Sequence, residues 1–307
     1  MTGSSSGELR LSETPALSRG DYDRSVIRRN DPEWLATAWK SARVLLLDPD
    51  GTVPIQQTDT GPRLALVPPA EIPDSLVRVF LGEDADGPYF AALDFTPARE
   101  AQQPEQWAGE ARAGLRSVGA LLDDVGSGLF TAAVALRNWH RNHPRCPRCG
   151  TPTEVTQAGW VRHCPADGSD HFPRTDPAVI MLVTDGADRC VLGRQAVWPE
   201  GRYSILAGFV DPGESAESAV AREVGEEVGI AVRDVRYVSS QPWPFPASIM
   251  LGFTARVDGD PTLHVDEDEI QHAQWFSKDE IRRRDGVALL PSPVSIAYRL
   301  ITDWLEA

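Results

Sequence analysis

The sequence predicts an α+β protein in which two strand-and-helix units flank a small cysteine-bearing insert. Apolar runs of strand length, cut by Gly, Pro and Asp, occur in both halves of the chain. In each half longer runs with helical spacing accompany them, and between the halves turn residues crowd around three cysteines. A length of 307 residues accommodates two domains of ordinary size.

Residues 1–20, "MTGSSSGELRLSETPALSRG", are polar and are expected to form a flexible tail. Over 21–143, "ARVLLLD", "RLALVP", "LVRVFLG" and "YFAALDF" read as strands, and "EQWAGEARAGLRSVGALLDD" and "GLFTAAVALRNWHRNH" as helices. The insert, 144–175, carries one hairpin-like run between its cysteines. Over 176–307 the pattern restarts with strands "AVIMLVTD", "RCVLGRQA" and "YSILAGFV" and a glutamate-rich helix. Strands "VRDVRYVSS" and "SIMLGFTARV" follow, then a closing helix from Val294 to Leu305. No repeat of fixed period is present.

Thirty basic against forty-five acidic residues give a net charge of −15, which argues against a broad basic surface for non-specific binding to nucleic acid or anionic membrane and leaves room for a local basic patch. No positively charged start leads into an apolar core, and no apolar run reaches transmembrane length, so a cytoplasmic protein is expected. Four cysteines, two of them in "CPRC", point to metal binding sooner than to disulfides.

The helix in "GFVDPGESAESAVAREVGEEVGI" sets the chemistry. At about 3.6 residues per turn, Ala216, Ala219, Val220, Val224 and Val228 form its apolar stripe, with Glu223 and Glu227 inside that stripe and Glu226 beside it. Like charges four residues apart repel, and burial makes this worse; a bound cation reverses the sign. Carboxylate oxygens are hard ligands, so the cation expected is Mg²⁺ or Mn²⁺. Ser215 is placed to cap the helix and Gly229 to stop it in a left-handed conformation.

The same stretch resembles the Nudix box, matching it at Gly208, Glu214, Arg222, Glu223, Val224, Glu226, Glu227, Gly229 and Ile230. The resemblance implies that Glu223, Glu226 and Glu227 bind the ions that neutralise a pyrophosphate and activate water. It also implies that Arg222 pairs with Glu214, and Glu227 is the most plausible proton acceptor. Little covalent help is needed for such a hydrolysis; charge against the phosphoryl oxygens and an aligned water suffice.

A second motif, "SQPWPFPAS" from Ser240 to Ser248, is stiffened by Pro242, Pro244 and Pro246 and is expected to display Trp243 and Phe245 as flat surfaces that can stack on a ring. Shortly after a Nudix box, this pattern is similar to the signature of the NADH pyrophosphatase family of Nudix hydrolases. That resemblance implies a Nudix fold, a mixed sheet between helices, at 176–307. Before it come a zinc ribbon at 144–175 and a degenerate Nudix-like domain at 21–143. It implies hydrolysis of NADH, NAD⁺ and the NAD cap of RNA. By matching position it implies substrate contacts from Ala207, Phe209, Gln241, Trp243 and Ala297. A further acid of the metal site falls on Glu269, with Asp268 as a rival. It implies a homodimer in which Phe172, held at a stiff corner before Pro173, reaches the partner's pocket.

For the insert, Cys146-x2-Cys149 followed by Cys164 gives one complete zinc knuckle and half of another. The family's fourth cysteine falls on Asp167, so Cys146, Cys149, Cys164 and Asp167 are expected to hold a structural Zn²⁺, with His163 and His171 as alternative fourth ligands. Cys190 reads as a core residue, and His140 and His143 as helix-surface residues. Two other readings are a Nudix hydrolase of another dinucleotide such as ADP-ribose, opposed by the intact second motif, and a non-catalytic nucleotide-binding regulator, opposed by the complete glutamate set.

Overall fold

The computed structural model describes residues 9–95, 111–266, 268–285 and 289–307. The chain forms two compact units, one of residues 17–175 with 243–247, the other of the remaining residues.

The first unit opens with α1 (Pro32–Trp39), capped by Asp31, whose side chain accepts from the Trp34 N–H. Strands β1 (Arg43–Leu47), β2 (Thr52–Thr58), β3 (Gly61–Leu64), β4 (Val77–Asp84), β5 (Gly87–Leu93) and β6 (Arg112–Gly114) follow and form two three-stranded sheets, β1-β5-β4 and β3-β2-β6. One core packs Trp34 and Trp39 edge-on against Phe80 and Phe90, with Val44 and Leu46 beneath. Helix α2 (Leu115–Val118) is a single turn, and α3 (Asp124–Asn142) is buried along most of its length.

The helix expected over 105–124 is corrected: 105–110 lie outside the described residues, and Arg112–Gly114 pairs with Thr52–Pro54 as a strand. Gly109, Gly114 and Gly119 weaken a helix there, and Arg112 instead pairs with Asp48. His140 is also corrected, being buried rather than on the helix surface. Its Nε2 lies 2.9 Å from the Gly159 carbonyl and its Nδ1 3.0 Å from Arg162, and burial lowers its pKa to about 4. The insert contributes β7 (Glu154–Thr156), β8 (Val161–His163) and β9 (Asp170–His171) as one small antiparallel sheet.

The second unit is a six-stranded mixed sheet between helices. Its elements are β10 (Asp176–Thr184), β11 (Arg189–Arg194), β12 (Leu206–Phe209), α4 (Ala216–Val228), β13 (Val232–Trp243), β14 (Ser248–Val257), β15 (His272–Ser277), α5 (Lys278–Arg283) and α6 (Ile296–Glu306). The order is β13-β14-β10-β11-β15, with β12 also paired to β10, and β10 and β14 run parallel. Strand β10 shows why the layers form. Its alternate residues Val179, Met181 and Val183 meet Ala219, Val220, Val224 and Val228 of α4, while Ile180 and Leu182 meet Ile296, Leu300 and Ile301 of α6. Cys190 is buried in the α6-side core, as expected.

The loose tail expected through residue 20 is corrected from residue 9 onward. Leu9 and Leu11 pack on the α6-side core, and Ser12 donates from its N–H and hydroxyl to the buried Asp303 at 2.9 and 2.8 Å. A polar segment with two leucines two residues apart thus gains an apolar face and a charge-assisted anchor.

Candidate active site

Helix α4 starts and ends where its sequence places it. Ser215 accepts from the Ser218 N–H at 3.1 Å, and Gly229 takes φ 69°. Gly229 is required twice, because a Cβ there would also lie 2.7 Å from His264 Cβ. That close approach lets 264–266 dock on the end of α4, with the His264 N–H bonded to Val228 O at 2.9 Å and the Asp266 N–H to Glu227 O at 3.2 Å. The docked segment brings Glu269 to the glutamates.

Arg222 is the hub of the acidic group. Its Nε and Nη2 donate to the two oxygens of Glu214 at 2.9 Å each. Its Nη1 donates to Glu223 at 2.9 Å and Glu226 at 2.8 Å, and Nη2 also reaches the Phe209 carbonyl at 2.8 Å. One guanidinium thus fixes the helix to the loop before it and to the end of β12. Hydrogen bonds from Arg222 hold Glu214 below the usual carboxylate range. Gly208 makes room for the result: a Cβ there would stand 1.8 Å from Glu223 Cδ.

Glu227 lies deepest, 8% exposed, and its Oε2 has no hydrogen-bond partner among the described residues. Burial raises its pKa to about 8; Glu223 and Glu269 add to this, the backbone of Ala207 opposes it, and Glu226 adds a little more. Glu223 is raised too, chiefly by burial, with Arg222 opposing and Glu226 and Glu269 adding. Of Glu269 and its rival Asp268, Glu269 is the one whose charge acts on both. An all-oxygen set with an orphaned buried oxygen and crowded negative charge suits a hard divalent cation.

The other sequence-predicted residues divide. Phe209 ends β12 with its ring 59% exposed, and Phe172 leaves the insert 65% exposed. Gln241 is fully buried; its Nε2 donates to Val294 O at 3.0 Å and its Oε1 has no partner among the described residues, so it ties β13 to the entry of α6. Ala297 does not present its side chain to the glutamates: it is buried in the α6-side core, and its N–H is capped by Ser295 at 3.2 Å. The second motif is the end of β13 followed by a turn, and its rings are less free than expected. Trp243 and Phe245 pack edge to face at 4.9 Å, with the Arg116 guanidinium 3.9 Å from the Phe245 ring centre.

In the insert, ligand atoms of Cys146, Cys149, Cys164 and Asp167 all lie within 4.8 Å of one another. Two matching turns build the cluster. Gly150 N–H bonds to Cys146 O and Gly168 N–H to Cys164 O, both at 2.9 Å, so Asp167 occupies in the second turn the place Cys149 has in the first. Ser169 donates from its N–H and hydroxyl to Asp167 Oδ1 at 2.9 and 2.6 Å, leaving Oδ2 toward Cys146 at 3.4 Å. His171 lies 3.1 Å from the Ser169 hydroxyl and also acts on the Cys146 sulfur, and His163 turns to Asp170 at 2.8 Å. Burial raises the Cys146 thiol, but the N–H groups of Cys149 and Arg148, with Ser169 and His171, outweigh it and bring it to about 6.

Sequence reasoning missed Asn138, which holds the second motif from α3; a polar residue on the apolar face of a helical run was its only signal. It also missed Ser169 and the close packing that makes Gly208 obligatory.

Residues 174–295 match the family described as NUDIX domain, 141–172 the NADH pyrophosphatase zinc ribbon domain, and 34–139 the NADH pyrophosphatase-like rudimentary NUDIX domain. The NAD-capped RNA hydrolase NudC of Mycobacterium bovis (strain BCG / Pasteur 1173P2) is 42% identical over 321 aligned positions, covering 99% of each chain. The protein of the same name from Mycobacterium tuberculosis (strain ATCC 25618 / H37Rv) matches to the same extent, 42% over 99% of each chain. The mitochondrial NAD(P)H pyrophosphatase NUDT13 of Mus musculus is 44% identical over 200 positions, covering 60% of this chain and 56% of that one.

Proposed function

The chain belongs to the NADH pyrophosphatase family of Nudix hydrolases, and from that premise we propose that it hydrolyses the pyrophosphate bond of NADH and NAD⁺ to nicotinamide mononucleotide and AMP, and removes the NAD cap from RNA 5′ ends. The observation that carries this reading is the acidic cluster on α4, where Glu227 has an unpartnered buried oxygen close to Glu223 and Glu269. A pure nucleotide binder gains nothing from carboxylates so crowded.

Glu223, Glu226, Glu227 and Glu269 are the residues that would hold Mg²⁺ or Mn²⁺. Bound there, the ion supplies charge against the phosphoryl oxygens and acidifies water. Glu227 takes the proton of the attacking water, a contribution of about 10²–10⁴-fold. Arg222 keeps the carboxylates in register through its bonds to Glu214, Glu223 and Glu226. By matching position Ala207, Gln241 and the backbone of Ala297 are assigned to the substrate site, and Phe209 and Trp243 to the nicotinamide end of the substrate. A structural Zn²⁺, one per subunit, is held by Cys146, Cys149, Cys164 and Asp167, the fourth ligand being favoured by the matching turns. Four free thiols, three of them at the insert, suit a reducing cytoplasm. Among the described residues no helix is long and apolar enough to cross a membrane. The active species is a homodimer to which Phe172 contributes across the interface.

Product analysis tests the reading. Purified protein with Mg²⁺ or Mn²⁺ is given NADH, NAD⁺ and RNA carrying an NAD cap. Nicotinamide mononucleotide, with AMP or 5′-monophosphate RNA, is expected. Turnover of ADP-ribose with NAD substrates untouched would replace this reading by the other dinucleotide class, and binding without products would make the protein a regulator.

A further inference from the structure

The turn at 243–247 folds with the first unit, and two side chains of that unit hold it. Asn138, buried on α3, donates from Nδ2 to Pro244 O at 2.8 Å and to Pro246 O at 3.1 Å. Pro244 and Pro246 have no N–H, and the Phe245 N–H is used on Trp243 O at 2.7 Å. An amide nitrogen with two hydrogens matches two carbonyls that need donors. The helix behind it is well held, since neighbouring Arg137 grips the Pro49 carbonyl and His140 bonds at Gly159. From the exposed side, the Arg116 guanidinium lies 3.9 Å from the Phe245 ring centre and 5.0 Å from that of Trp243.

We propose that Asn138 and Arg116 are positioning residues for the signature turn, fixing the attitude of Trp243 and through it the preference for substrates that carry nicotinamide. This rests on the reading that Trp243 meets the substrate, and Trp243→Ala separates the two.

In the full-length protein at saturating Mg²⁺, kcat and KM are measured for NADH and for ADP-ribose. Asn138→Asp keeps the shape but loses the donors. It is expected to lower kcat/KM for NADH about 10- to 100-fold, the cost of a misplaced contact, and that for ADP-ribose less than about threefold. Arg116→Leu is expected to act in the same direction by about two- to fivefold, the size of an exposed cation–π contact. With Trp243→Ala already present, neither substitution should cost NADH anything further, because there is no ring left to position. Equal losses on both substrates, or full additivity with Trp243→Ala, would overturn the proposal. If Asn138→Asp does not fold, the exposed Arg116 decides by the same criteria. An unchanged NADH to ADP-ribose ratio in Trp243→Ala alone instead overturns the reading of that ring, and the positioning role with it.

Discussion

Replacing Glu227 by glutamine is expected to lower kcat by about 10²–10⁴-fold while making the metal-free protein more stable at alkaline pH. The carboxyl is 8% exposed and raised to about 8, first by burial and then by Glu223 and Glu269. A carboxyl raised in this way adds stability while protonated, below its ordinary 4.5, and that stability is lost as the pH climbs through about 8. At about 1.4 kcal/mol per pH unit, the charge costs the metal-free fold up to roughly 5 kcal/mol above pH 8. Glutamine keeps an acceptor for the Ala207 backbone and sets two N–H donors among the neighbouring carboxylates. Each 1 kcal/mol recovered raises the melting midpoint by about 2–4 °C. In EDTA at pH 9 the variant should therefore melt higher than the parent by about 4 °C or more, and at pH 5 the two should coincide. Saturating Mg²⁺ should reverse the order, since the parent gains the larger share of binding energy. Calorimetry across pH, alongside turnover of NADH, reads both halves; kcat should fall far more than KM. A variant less stable than the parent at pH 9 and pH 5 alike would refute the argument from buried charge. Retained turnover at saturating metal would remove Glu227 from the mechanism.

Trp243→Ala and Phe209→Ala should each weaken selection of NADH over simple pyrophosphates, because each removes a ring and spares the carboxylates; equal loss on both substrate types counts against stacking. Metal analysis should find about one zinc per chain, lost together with stability in Cys146→Ser. Asp167→Ala should lose that zinc while His171→Ala keeps it, and the opposite result would move the fourth ligand. Mixing Glu227→Gln chains with Phe172→Ala chains should restore activity toward one intact site per dimer, since one site then carries both defects and the other neither. Mixed dimers, verified by mass, that stay as inactive as their parents would reject a shared pocket.

The missed elements show where local pattern runs out. Helix α1 has a start signal in Asp31-Pro32, but its apolar stripe is too short to mark a helix in the sequence. Strand β2 escaped because Pro54 and two glutamines interrupt its alternation, and β15, "HAQWFS", because six mixed residues carry no clear period. Within the expected helix of 105–124 the described part is a short strand and a single helical turn, because of its glycines and of Arg112, whose partner Asp48 lies far back in the chain.

What the sequence by itself determined was whatever depends on spacing along one element. Helix α4 keeps its Ser215 cap, its Gly229 stop and its carboxylates at four-residue intervals, because a helix converts spacing directly into a shared face. Strand β14 runs from Ser248 to Val257 as its apolar run indicates, and the paired turns of the insert follow from Cys146-x2-Cys149 and its echo at Cys164. Tertiary structure alone decided the contacts between residues far apart in the chain. Docking of His264 and Asp266 on the end of α4 accompanies the charge of Glu269 on Glu227, and burial beneath β12 made Glu227 the costliest carboxylate and Gly208 irreplaceable. Ser169 turned Asp167 toward Cys146, and Asn138 took hold of a turn more than a hundred residues away. Such pairings leave no period in the sequence, because their energy comes from desolvation and hydrogen-bond geometry that exist only once both segments are packed.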